Sequence, residues 1–395
     1  MIKNLDDIAW FQEGPGVRNY QYTTNGTKLI NVSNLGGINL NLSNTSRYIS
    51  NEEANGKYRH FLCDVGDLVI ASSGISEASI SEKVSIVRND DLPLCMNTSV
   101  IRFKPLNNDE LSVKYLYYFF KSNSYKKQII KLMTGIAQLN YGPSHLHRIK
   151  INYVEKTQQE QITNQLDLLS SLVETQKKQL ALLDELIKSR FIETFGDPII
   201  NSKNFKTALI GDNCFVTKLA GFEYTNYIHY EETGDVIMVK AQNVKNGKLI
   251  EKEFSYISNE VSDSLPRSQL VAGDVVMTYV GANIGDVALI DNKHKYHLAP
   301  NVAKIRPNKN VYNSTFFMYM LMLLNEYVVG NSSDTAKAAI GMEKLRQLTV
   351  LVPPIESQDA FANFVVQVDK SKFIVQERLK LYQELLDKKM DEYFN

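Results

Sequence analysis

Few residues of this chain have the type and spacing that chemistry needs. Outside its long helical segments one carboxylate–lysine pair, Asp291-Asn292-Lys293 with Asp274 or Asp286 upstream, has the outline of a metal-dependent nuclease centre. A turn between strands explains it equally well, and no counterpart occurs elsewhere in the chain. His145 and His147 are expected to share one face of a strand, and His294 lies close to His297. Neither pair has the cysteine or third histidine that a zinc site needs. Cys63, Cys95 and Cys214 are far apart with no C-x-x-C spacing, which indicates neither a disulfide framework nor a thiolate zinc site. Gly281-Ala282-Asn283-Ile284-Gly285 lacks the lysine and spacing of a phosphate-cradling loop. Val352-Pro353-Pro354-Ile355 has the prolines of a base-holding Pro-Pro motif and none of its other members, so it reads as the approach to a helix. The expectation is a chain with no catalytic centre, no metal and no cofactor.

What remains is recognition. Base edges in the major groove are read by Asn, Gln, Arg, Lys, Ser and Thr, and the loops between strands here are rich in these residues. Candidate DNA contacts are Asn34, Ser73, Gln138, Asn140 and Tyr141 in the first half, and Lys240, Gln242, Asn243, Tyr279, Asn283 and Lys337 in the second. Each sits in or beside a loop that follows a strand, where its alternative role is to cap a turn.

Two long segments must position these loops. From Thr157 to Thr194, Ile162, Leu166, Leu169, Val173, Gln176, Leu180, Leu183 and Ile187 fall at alternating steps of four and three, the period that winds one helix against another. From Glu356 to Phe394, Phe361, Val365, Val368, Lys372, Val375, Leu379, Tyr382 and Leu386 repeat that series at a constant offset. The polar interruptions differ, since Gln176 aligns with Val375 and Val173 with Lys372. A polar seam residue costs stability but fixes register and partner, so the two helices are expected to pair with each other. A helix of roughly 35 to 40 residues spans roughly 55 Å at 1.5 Å per residue. That suits a spacer between sites on one DNA face, which recur about every 34 to 36 Å.

The duplication extends into the globular parts. Val65-Gly66-Asp67-Leu68-Val69-Ile70-Ala71 matches Ala272-Gly273-Asp274-Val275-Val276-Met277-Thr278, a Gly-Asp turn running into a buried strand. Asn97 to Phe103 resembles Asn301 to Pro307. An aromatic-rich helix over Val113 to Lys131 is matched by one over Ser314 to Val328. Thr157 with Glu160 makes a candidate capping box for the first long helix, and Ser357 is the nearest cap for the second. The expected fold is α+β: two similar globular domains, 1–153 and 197–353, separated by long helices over 154–196 and 354–395 that pack as an antiparallel coiled coil, with a pseudo-two-fold internal repeat.

The chain has 395 residues, with Lys plus Arg and Asp plus Glu both at 44. A protein that grips DNA alone usually carries a basic excess, so neutrality points to a local basic face or to partners that supply phosphate contacts. No apolar run approaches the roughly 18 residues needed to cross a bilayer. Asp6 and Asp7 soon after Lys3 do not suit a signal peptide, and a cytoplasmic location without membrane partners is expected.

Taken in order, these features resemble the specificity subunit of type I restriction-modification systems. The stretches that carry the resemblance are Gly273 to Met277 followed by Gly281 to Gly285, and then Val350-Leu351-Val352-Pro353-Pro354-Ile355-Glu356-Ser357-Gln358. The first copy departs from this pattern with Tyr153-Val154-Glu155 in place of the prolines, while Gln159-Glu160-Gln161 keeps the polar signature. The resemblance implies a non-catalytic subunit with two target-recognition domains that reads a bipartite, asymmetric site in double-stranded DNA. It also implies two copies of an S-adenosylmethionine-using adenine methyltransferase as partners, and ATP-dependent restriction subunits joined to the same core. Two other readings predict differently. A coiled-coil scaffold would bind proteins without DNA sequence dependence, and a self-contained nuclease would need Asp291 and Lys293. The purified chain is expected to show no metal-dependent cleavage of duplex DNA; cleavage abolished by Asp291→Asn would establish the nuclease.

Overall fold

The computed structural model describes residues 1–43, 45–133, 140–325 and 339–395. Its contacts divide the chain into two units, Met1–Lys178 with Gln376–Asn395, and Gln179–Val375. The first unit contains β1 (Ile2–Asn4), β2 (Ala9–Glu13), β3 (Thr27–Ile30), β4 (Tyr48–Ile49), α1 (Asn51–Asn55), β5 (Leu68–Ala71), β6 (Val84–Ile86), β7 (Leu94–Met96), β8 (Val100–Pro105), α2 (Val113–Lys121), α3 (Asn123–Leu132), α4 (Pro143–Leu146) and β9 (Lys150–Asn152). The long helix α5 (Lys156–Phe195) follows. Strands β2-β8-β5-β6 form an antiparallel sheet, β4-β3-β7 a mixed one, and β1 pairs with β9.

The second unit contains β10 (Thr207–Leu209), α6 (Ile210–Asn213), β11 (Cys214–Lys218), α7 (Gly221–Tyr227), β12 (Val236–Val239), β13 (Val244–Lys245), β14 (Lys248–Leu249), β15 (Ser255–Ile257), α8 (Asn259–Ser264), β16 (Gln269–Leu270), β17 (Val275–Thr278), β18 (Val287–Leu289), β19 (Lys295–Leu298), β20 (Val302–Pro307), α9 (Ser314–Leu323), α10 (Met342–Arg346) and β21 (Thr349–Leu351). The second long helix, α11, is Ile355–Phe394. Its sheets repeat those of the first unit: β11-β20-β17-β18 is antiparallel, β15-β12-β19 is mixed with β16 added at its edge, and β10 pairs with β21, while the β13-β14 hairpin has no counterpart among the described residues of the first unit.

The matched Gly-Asp turns are built alike. Gly66 and Gly273 stand at φ +86° and +92°, a region that side chains with a Cβ rarely enter. The carboxylate beside each closes the turn: Asp67 accepts from the Asp64 amide at 2.8 Å, and Asp274 from the Val271 amide at 2.9 Å. Strands β5 and β17 then run into their sheets with every residue buried. The aromatic helix expected over Val113 to Lys131 is in fact two, because the Ser122 hydroxyl accepts from the Tyr125 amide and donates to the Phe119 carbonyl. A serine satisfied in this way starts a new helix. The described part of its counterpart is Ser314–Leu323, and residues 326–328 of the expected span lie outside the described residues. His145 is not on a strand either. Pro143, with φ preset for a first helical turn, opens α4, and His147 follows that turn. Thr157 and Ser357 fall inside the first turns of α5 and α11, so neither is the cap.

What holds the start of each long helix is a buried glutamine. Gln159 is fully buried: its Oε1 accepts from the Ser112 amide at 2.8 Å, and its Nε2 donates to the Glu110 and Val154 carbonyls at 2.9 and 2.8 Å. Gln358, also fully buried, accepts from the Asn313 amide at 2.9 Å and donates to the Val311 and Pro353 carbonyls at 2.9 and 2.8 Å. Ser112 and Asn313 are the N-cap residues of α2 and α9. One side chain thus joins the aromatic helix to the long helix in each unit, and the first copy does so without the second copy's prolines.

The helix pair is antiparallel within each unit. In the second, Phe191 packs edge-on against Phe361 with centroids 5.4 Å apart, and Asp184 pairs with Lys372. In the first, Ile162 and Leu166 share a core with Met390 and Phe394, and the Tyr393 hydroxyl donates to Gln165 at 2.5 Å. Val173, Gln176 and Ile187 are buried on α5 with Leu169, Leu180 and Leu183 half-buried; Val365, Val368, Lys372 and Val375 are buried on α11, with Leu379, Tyr382 and Leu386 half-buried. Replacing Gln358 by Ala leaves a buried amide and two carbonyls without partners, at a cost of about 1–3 kcal/mol. The expected readout is a lower unfolding midpoint and faster hydrogen exchange at the Asn313 amide. Gln358→Glu does not rescue it, because a carboxylate donates nothing to the carbonyls; unchanged exchange in both variants would contradict the clamp.

Candidate nucleic-acid interface

The sequence candidates divide into residues that fold their loops and residues that face water. Asn34 is buried, accepting from the Asn31 amide and donating to the Asn41 carbonyl and the Thr45 hydroxyl. Asn243 does the same work in the second unit: it accepts from the Lys240 amide and donates to the Ile250 and Lys252 carbonyls. Both side chains are used up in holding matched turns. Tyr141 is buried as well, with its hydroxyl donating to the Ala71 carbonyl and its amide to the Ser72 carbonyl at 3.0 Å. That tie brings Ser73, which is half-buried, and Asn140, which is exposed, to the same end of the sheet.

In the second unit, Lys240 and exposed Gln242 share the turn that Asn243 fixes. Lys240 Nζ donates to the Ser255 hydroxyl at 2.5 Å and sits 4.5 Å above the Tyr230 ring. Tyr279 is half-buried beneath Lys218 at 5.2 Å, and Asn283 is exposed on the Gly281–Gly285 loop. Tyr279 is also the counterpart of Ser72, since its carbonyl accepts from the Ile340 amide at 2.9 Å. Gln138 and Lys337 lie outside the described residues.

Sequence reasoning missed a set of exposed aromatic and basic side chains on the connection after the first strand of each main sheet. In the first unit this is Arg18 to Tyr22, with Arg47 and Lys57 beside it. In the second it is α7 and its continuation, where Phe222, Tyr224, Tyr227 and Tyr230 are 66%, 37%, 49% and 41% exposed. The signal was present as closely spaced aromatics in polar segments, which neither helical nor strand periodicity explains.

Of the nuclease outline, Asp274, Asp291 and Lys293 have structural partners. Asp274 is fully buried and receives Arg306 through Nε at 2.6 Å and Nη2 at 2.7 Å, a bidentate pair. Asp67 occupies the same place in the first unit, with Arg102 at 3.3 Å and Lys104 at 3.4 Å, and burial raises its pKa. Asp291 accepts from the Lys293 amide and the Tyr296 hydroxyl, and Lys293 Nζ pairs with Glu251 at 2.9 Å. Among the described residues no group of three His, Cys, Asp or Glu is placed to hold a metal.

Beside Asp274, Lys304 is buried and donates to the Arg267 and Gln269 carbonyls at 2.6 and 2.8 Å. Burial pulls its pKa down from 10.5 to about 8. A folded-state value below the unfolded one means that the unfolded chain binds more protons between the two, so this group's contribution becomes more favourable as pH rises through that window.

Two copies of one mixed-sheet domain, each clamped to an antiparallel pair of long helices, define the tandem-domain, two-helix class of recognition protein. The chain matches the family described as type I restriction modification DNA specificity domain twice, over residues 1–185 and 203–385. It is 22% identical over 332 residues to a Methanocaldococcus jannaschii protein named for the specificity subunit of the type I restriction enzyme MjaX, covering 80% of this chain and 74% of that one. It is 19% identical over 398 residues to the EcoBI specificity subunit of Escherichia coli, covering 92% and 78%. Its fold resembles the crystal structure of the type I restriction-modification S subunit from M. genitalium, with a TM-score of 0.59 at 15% identity, covering 100% of this chain and 96% of that one. The chain belongs to the type I restriction-modification specificity family, as a non-catalytic DNA-binding subunit whose partners carry the catalysis.

Relative to Lys304→Met, the wild-type second unit is expected to gain stability between about pH 8 and 10.5, as measured by denaturant midpoints across that range. A difference that stays flat would contradict the buried, depressed ammonium.

Proposed function

We propose that this subunit reads a bipartite, asymmetric site in double-stranded DNA, one half by the domain spanning residues 1–153 and the other by the domain spanning 197–353, with the long helices over 154–196 and 354–395 setting the spacer. The observation that carries this reading is the repeat itself. The same sheets recur in both units, and the same buried glutamine ties each to its long helix, while the loop residues differ. Retained framework with diverged loops is what two readers of unlike sequences require.

The partners in this reading are two copies of a DNA adenine methyltransferase and, through them, restriction subunits, acting in the cytoplasm. Support comes from the helix faces turned away from the seam. Leu168 and Leu381 in the first unit, and Leu182, Phe373 and Ile374 in the second, are 61%, 59%, 58%, 63% and 52% exposed. Apolar side chains aligned along helices in this way suit further helices packing against them. Partners that contribute phosphate contacts also account for a chain with balanced charge.

If the helices act as the ruler, inserting one heptad into both lengthens the tolerated spacer and leaves the two half-sequences as they were. Methylated-adenine mapping in cells that carry the altered subunit measures this, and an unchanged spacer would defeat the ruler.

A further inference from the structure

Resting on that recognition reading, we propose that in the first unit the segment Arg18–Tyr22, with Arg47 and Lys57, is a DNA-contact surface on which Tyr20 meets base edges while Arg18, Arg47 and Lys57 hold the flanking phosphates. Tyr20 is 86% exposed, yet the residues around it are fixed. Val17 and Gln21 are buried. The Gln21 amide nitrogen donates to the Tyr58 hydroxyl at 2.9 Å and to Glu53 at 2.7 Å, and its oxygen accepts from the Arg18 amide at 3.0 Å. Beneath them Val17, Leu29, Ile49, Ala54, Tyr58 and Cys95 form a separate small core. A large ring held in water by a rigid support gains nothing from its own fold. Such preorganised exposure suits a ring that meets a partner.

The charge around it specifies the partner. Arg47 lies 5.3 Å from the Tyr22 ring and Lys57 4.9 Å from the Tyr58 ring. Arg18, two residues before Tyr20, and Arg59, next to Tyr58, are exposed as well. Among the described residues none of these four makes an ion pair with a carboxylate, whereas Lys104 and Lys114 of the same unit do. Against these four cations stand two carboxylates on α1: Glu52, which is exposed, and Glu53, which accepts from Gln21 and keeps its charge. In a chain of zero net charge this is a local cationic excess, which phosphate binding needs.

The second unit supports the assignment independently. Its connection between β11 and β12, the topological match of the connection between β2 and β3, also leaves aromatics in water and seats Lys240 over Tyr230. The residue types differ between the copies, as they must if the two read different sequences.

The test uses the full-length chain assembled with its modification subunits and a pool of randomised duplexes, sequencing the bound fraction and then measuring affinity for the selected duplex against salt. Tyr20→Ala is expected to relax preference about 5- to 100-fold at positions in one half of the motif and to leave the other half intact. Arg47→Ala with Lys57→Ala is expected to weaken all duplexes alike and to lower the slope of log affinity against log salt by about 2. All three side chains lie at the surface, so melting temperatures should match the wild type. A wild-type complex that selects a motif, with variants that keep both the motif and the slope, overturns this surface and spares the recognition reading. Variants that shed modification subunits while the surviving complex keeps its motif also overturn it, by making the patch a protein contact. A wild-type complex that selects no motif removes the recognition reading and this surface together.

Discussion

An amide side chain buried at the root of a long helix is the constraint on which each half of this protein depends. Gln159 and Gln358 each spend one acceptor and two donor bonds on backbone groups from a helix cap, the loop before it and the approach to the long helix. No apolar residue can satisfy those groups, and no water-filled gap could hold them in one geometry. The domain is thereby fixed to its helix by directional bonds as well as by the cores that pack around Phe120 and Phe316. A tilt of the domain on its helix would strain all three bonds at once.

The seam adds a second directional element. Lys372 sits in an otherwise apolar stripe, 10% exposed at its side chain, and reaches Asp184 of the facing helix. Ion pairs of this kind contribute little net stability, since desolvation offsets attraction. Their effect is on register, because a slip by one turn would carry the ammonium away from Asp184 and set it against the apolar stripe of α5. Gln176 interrupts the stripe at a different level, in the first unit, where it is 6% exposed and its Oε1 has no hydrogen-bond partner among the described residues. The unlike placement of the two polar residues makes the repeat imperfect, which suits a molecule whose halves have separate targets.

The heptads were legible because the period of an apolar stripe needs no tertiary context, and the duplicated Gly-Asp turns because glycine at positive φ followed by a capping carboxylate is local chemistry. The glutamines were visible only as a polar signature, since a residue's burial depends on what the fold brings to it. The same limit misdirected two site candidates. Asn34 and Asn243 have the side chain expected at a base edge, but each faces inward to close a turn, a choice decided by carbonyls seven residues away. Tyr20 and Phe222 were passed over, although they are 86% and 66% exposed. Neither helical nor strand periodicity marks such an aromatic as exposed, so the exposure shows only once the fold is known. Ser122 broke a helix that the aromatic pattern would have carried through, because a hydroxyl satisfied locally competes with helical continuation.

Balanced charge over the whole chain and an unpaired basic patch on the first unit are compatible, because attraction to a duplex is set by local potential and not by the total. In the proposed function this polypeptide decides where adenines are methylated. Mapping methylated adenines across the genome in cells with and without it tests this most directly. The expected result is one bipartite motif that is methylated only when the chain is present; an identical pattern in its absence would overturn the proposed function.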